Sequence, residues 1–154
     1  MVSSRYFTVE EANALVPTLR SLFGTIMVLR SQLKTIFQRL EAAGHPPSEP
    51  APSLGDAMSD SEEAGLPPDV GRDRLVFHAM AETLREYVEQ VLATGCVVKD
   101  IEIGLVDWLG QHDGRDVWLC WKYGESRVGF WHDHNAGFSA RRPVSELLPD
   151  PHRR

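Results

Sequence analysis

The sequence is short of most features that announce a function. Only two cysteines, Cys96 and Cys120, occur in 154 residues, and no Cys-x-x-Cys pair, His-x-x-x-His helix or nucleophile-elbow pattern is present. No Gly-x-Gly-x-x-Gly or P-loop occurs, so glycine-rich phosphate cradling has no support. Positive charge is scarce: the formal net charge is -6 and the pI about 5.5. A nucleic-acid binder usually carries a basic face, and the C-terminal Arg141, Arg142, Arg153 and Arg154 read as a solvated end. No continuous apolar run follows Met1, which argues against a secretory signal. The longest uncharged apolar stretch, near residues 21–29, falls short of the roughly 20 residues of a membrane span. We therefore expect a cytoplasmic protein with two reduced thiols, bound neither to nucleic acid nor to membrane.

What is present is ordinary globular composition, 42% hydrophobic and 25% charged, in a length that fits one domain over residues 1–154. Thr8-Val9-Glu10-Glu11 has the form of a capping box. From there Ala12, Leu15, Leu19, Leu22, Ile26, Leu29, Leu33, Ile36 and Leu40 recur at alternating spacings of three and four, the stripe of a long helix over 8–42. Pro17 should kink or split it by removing a donor and crowding the carbonyl of Asn13. Gly44 and Pro46 end it.

Residues 43–72 hold six of the ten prolines and six acidic residues, a composition that predicts a mobile connector. Phe77, Met80, Leu84, Tyr87 and Val91 then mark a second helix over 73–94, stopped at Gly95. The first helix is the longer, so its stripe needs further cover, and a homodimer through the long helices is expected.

After Gly95 the apolar period changes from 3.6 to 2. Short strands are predicted at 97–101, 105–109, 116–123 and 127–132, with turns at His112-Asp113-Gly114 and Gly124-Glu125-Ser126. The predicted fold class is α+β: a long antiparallel helical hairpin, then a small β-meander of three or four strands over 95–154.

The polar residues in these strands are the candidates for chemistry. With the second turn centred on Glu125, Cys120 faces Phe130 and Trp118 faces His132. With the first centred between His112 and Asp113, Asp107 faces Trp118 and Leu105 faces Cys120. Directly opposed side chains share a face, so Asp107, Trp118, Cys120 and His132 converge, with Glu125 at the rim. A one-residue slip would scatter them. Trp131 and Arg141 complete the candidate pocket, since aromatic walls around a few polar groups form ligand sites.

A thiol, imidazoles and carboxylates suit a zinc-like divalent metal, with ligands drawn from Asp107, Cys120, Glu125, His132 and His134. They also suit a Cys120 nucleophile with His132 as base. The plainer reading makes Cys120 a buried small hydrophobe, and the tryptophans core.

Gly95-Cys96-Val97-Val98-Lys99-Asp100, Gly104-Leu105-Val106-Asp107-Trp108, Leu119-Cys120-Trp121-Lys122-Tyr123-Gly124-Glu125, Phe130-Trp131-His132 and Gly137-Phe138-Ser139-Ala140-Arg141-Arg142-Pro143 carry a resemblance. Together with the opening Tyr6-Phe7-Thr8-Val9-Glu10-Glu11-Ala12-Asn13, the chain resembles a bacterial family of unknown function, number 2203. That resemblance implies a prokaryotic cytosolic origin and places Asp107, Cys120, Glu125, His132 and Arg141 in the family motif, without assigning them roles. Three functions stay open: a dimeric small-molecule-binding or interaction module without catalytic activity, a metal-binding protein with or without hydrolase activity, and a cysteine-dependent enzyme.

Overall fold

The computed structural model describes residues 5–47 and 65–147. Two helices, α1 (Val9–Ala42) and α2 (Pro68–Ala93), precede five strands: β1 (Val97–Asp100), β2 (Leu105–His112), β3 (Arg115–Lys122), β4 (Phe130–Asp133) and β5 (Arg142–Pro143). The sheet is wholly antiparallel in the order β1-β2-β3-β4-β5, so every strand pairs with its neighbour in the chain. This is an α+β fold with a five-stranded meander, β5 being one strand more than the sequence pattern announced. The contacts divide it into two compact units. One holds the chain up to Gly24 together with the chain from Glu89 onward, and the other holds Thr25–Val88.

Helix α1 starts as its sequence dictates. The Thr8 hydroxyl accepts from the Glu11 N–H, and the Glu11 carboxylate accepts from the Thr8 N–H, both at 3.1 Å. The helix then runs unbroken through Pro17, contrary to the expected split. The missing hydrogen bond costs about 3 kcal/mol. Val16, Leu19 and Phe23, on either side of it, are all buried, and each such side chain contributes roughly 1.5–3 kcal/mol. Packing outweighs the defect.

At its other end Gly44 has a φ of 78°, and His45 N–H reaches back to the Leu40 carbonyl, a Schellman closure. An 18-residue window of α1 has a mean hydropathy of 1.3. By length and composition alone that helix is apolar enough to cross a membrane, as core helices often are.

Within the Thr25–Val88 unit the two helices run antiparallel. Ile36, Leu40 and Val70 are buried together with Leu66, Phe77 and Met80 against them. Arg39 makes a two-pronged pair with Asp73 at 2.8 and 3.0 Å. Helix α2 begins at Pro68, five residues before the expected start. Proline suits the first helical turn, where its missing N–H would have no partner. The predicted connector lies largely in residues 48–64, outside the described residues.

In the other unit the sheet carries its core on one face. Val106, Trp108, Val117, Leu119, Trp121 and Trp131 are buried there. The Phe23 ring of α1 lies against Trp121 and Tyr123, with ring centres 6.2 and 6.5 Å apart. Phe7 N–H donates to the Leu109 carbonyl, and the Asn13 side chain accepts from Val128 N–H. These contacts fix the sheet and leave its second face to the polar residues.

Candidate metal centre

Two hairpins decide which side chains meet on that second face. The β3–β4 register pairs Trp118 with His132 and Cys120 with Phe130, as the turn at Glu125 predicts. The β2–β3 register pairs Asp107 with Cys120 and Leu105 with Lys122, two residues away from the expected pairing of Asp107 with Trp118. The reason is local: Asp113 and Gly114 alone form the turn, with φ of 50° and 75°, the doubly positive geometry of a two-residue type I′ hairpin. A shift of two preserves which face each side chain takes, because the strand period is two.

Asp107, Cys120 and His132 consequently converge. Their potential ligand atoms lie within 4.8 Å of one another, and all three residues are buried, Asp107 at 1% and His132 at 3% exposure. His132 Nδ1 is 3.0 Å from the Asp133 carbonyl oxygen. A carbonyl only accepts, so Nδ1 donates to it when it carries the ring hydrogen. In a neutral ring Nε2 then presents a lone pair, and it stands 3.0 Å from Asp107 Oδ2. Two acceptors at that distance repel unless a proton or a metal cation lies on or between them. Asp107 Oδ1, also buried, has no hydrogen-bond partner among the described residues.

Cys120 adds the third donor. Burial, then the Asp107 carboxylate beside it, pushes its thiol up to about 12, with Arg141 pulling the other way. A free nucleophilic cysteine requires the opposite shift.

The remaining candidates take other places. Glu125 accepts from Lys122 N–H at 2.7 Å and from Arg141 at 2.6 Å. The Arg141 guanidinium lies over the rings of Phe130 and Phe138, at 4.1 and 4.7 Å. Glu125 and Arg141 thus form a clamp separate from the Asp107–Cys120–His132 cluster. Trp131, expected in the pocket, is on the opposite face. It pairs with Leu119, donates from its indole to the Pro143 carbonyl, and belongs to the core. His134 sits outside the three-residue cluster, with its ring stacked on Trp118 at 5.2 Å between centres.

Above the cluster lies a cavity of about 200 Å³, lined in part by Trp118, His134, Lys99 and Phe138. The sequence reading missed Lys99 and Phe138. Lys99 is the extra residue of a bulge, lying between the pairs Val98–Val106 and Asp100–Leu105, and a bulge re-aims its side chain where alternation gives no signal.

The family profile described as "Uncharacterized conserved protein (DUF2203)" matches residues 5–144. The chain belongs to the DUF2203 family. The match takes in both helices and all five strands of this DUF2203 chain, and with them Asp107, Cys120 and His132. No curated protein and no solved structure matches it.

Proposed function

We propose that this protein binds a divalent transition metal of the zinc class through Asp107, Cys120 and His132, and uses it to hold a small molecule in the adjoining cavity. The observation that carries the reading is the 3.0 Å approach of His132 Nε2 to Asp107 Oδ2, with Nδ1 already committed to a carbonyl. A metal ligand imidazole commonly has its second nitrogen fixed in this way.

Zinc bonds of about 2.0–2.3 Å set at tetrahedral angles hold such donors roughly 3.3–3.6 Å apart; here the three ligand atoms lie within 4.8 Å of one another, with Nε2 and Oδ2 at 3.0 Å. Three protein ligands beside a cavity leave the fourth position to a water or a ligand, the pattern of working rather than structural zinc sites. A bound dication would take the place of the Cys120 proton, so binding should release a proton and strengthen as the pH rises.

Elemental analysis of tag-free protein purified under reducing conditions tests the proposal, beside the Cys120→Ser/His132→Ala variant. Near-stoichiometric zinc, iron or manganese, lost in the variant, supports it. Failure of the folded protein to retain zinc after equilibration and desalting sinks it. The helix-mediated homodimer is a second, separate proposal. It is supported by Val28 and Leu75, each 55% exposed on the helices, and sedimentation over a range of concentrations checks it.

A further inference from the structure

Resting on the metal reading, we infer that the cavity takes a short monocarboxylate, bound with its carboxylate oxygen on the metal and drawn by the Lys99 ammonium. Size comes first. The cavity of about 200 Å³ has room for a short organic acid.

Charge comes next. Asp107 and the Cys120 thiolate together offset the two charges of the metal, and His132 contributes none. Lys99 is the one fixed cation among the described residues lining the cavity. Its Nζ lies 4.5 Å from the centre of the Trp118 ring, a position held by attraction between the ammonium and the ring face. An anion that ligates the metal from the cavity also gains the attraction of Lys99, and a neutral ligand does not.

Shape and polarity select among anions. Leu105, Trp118, Ala136 and Phe138 give the cavity apolar walls, which suit the hydrocarbon end of a carboxylate. Inorganic phosphate, with oxygens on every side, would leave some of them desolvated without a partner.

The test uses the full-length protein loaded with cobalt(II), whose visible spectrum reports coordination. It is titrated with propionate, with propionamide as the neutral isostere, and with inorganic phosphate. The inference expects propionate to change the cobalt spectrum saturably, and propionamide and phosphate to do so at least tenfold more weakly. Lys99→Gln should weaken propionate about tenfold without lowering cobalt affinity.

Bound cobalt with a spectrum indifferent to propionate overturns the inference and leaves the metal reading standing. Equal responses to propionate and propionamide, a stronger response to phosphate, or a Lys99→Gln protein that binds propionate normally overturn it too. Failure to bind cobalt at all removes the metal reading, and this inference with it.

Discussion

His132 Nε2 and Asp107 Oδ2 stand 3.0 Å apart, although their residues are 25 positions apart and lie on strands separated by β3. With Nδ1 donating to the Asp133 carbonyl, this contact is attractive only with a cation in it, be it a proton or a metal. That single condition makes the pair testable by exchanging the carboxylate for its neutral isostere.

Asp107→Asn is expected to separate stability from metal binding. A side-chain amide can donate to the His132 lone pair, and a buried charge disappears. The metal-free variant should be as stable as the parent or more stable by about 1–3 kcal/mol. Its metal affinity should fall at least a hundredfold, since an anionic ligand has been lost. Urea denaturation with and without zinc, together with competition against a chelator of known affinity, checks both halves.

Cys120 gives the metal-free protein a pH dependence. Its folded-state thiol is raised from 9.0 to about 12, so its contribution is fully present below pH 9. Above that the unfolded chain loses its proton first, and stability falls as the pH climbs from 9 towards 12, by about 1.4 kcal/mol per unit. Cys96 is raised as well, by burial first, and adds slope of the same sign. Cys120→Ala should remove the larger share of the slope in denaturation midpoints measured across that range. The same burial predicts slow alkylation of Cys120 between pH 6 and 8, by mass spectrometry.

Gly114 holds the register that brings Asp107 opposite Cys120. Its φ of 75° suits glycine and strains an alanine, while space around the position is open. Gly114→Ala should cost about 1–2 kcal/mol yet leave metal stoichiometry unchanged, because the turn can strain without slipping. A fall in stoichiometry on elemental analysis would show that the register had moved.

Arg141 should not accept lysine. Its flat guanidinium lies over two phenyl rings and also reaches Glu125, which an ammonium cannot reproduce together. Arg141→Lys should lower stability by about 1–3 kcal/mol and loosen the wall that carries Phe138. Arg142→Lys, at an exposed pair with Glu146 and 5.1 Å from the centre of the Trp131 ring, should change it by less than about 1 kcal/mol. Urea midpoints with unchanged slopes decide between them.

Much of this was legible beforehand, because periodicity and turn chemistry act locally. The Thr8–Glu11 box and the three-four stripe located α1, and parity placed Asp107, Trp118, Cys120 and His132 on one face. The exact β2–β3 pairing was hidden because His112 reads as a turn residue, although Asp113-Gly114 suffices for the loop. The start at Pro68 was obscured by counting proline as connector.

The aromatic type of Trp131 suggests a pocket wall, yet the same arithmetic that sets Trp118 opposite His132 sets Trp131 opposite Leu119, on the core face. That signal was available. Lys99 offered none, since a bulge breaks the alternation from which faces are read. The two-residue β5 is too short to show a period.

Because every strand pairs with its immediate chain neighbour, the sheet is a structure of short loop closures. Such closures lose little chain entropy and form early, before contacts between distant parts of the sequence. All three donor residues lie between positions 107 and 132, inside that early-forming stretch. Contact order thus favours the three donors meeting while the hairpins zip, and an ion that they held would be able to bind before the helices dock.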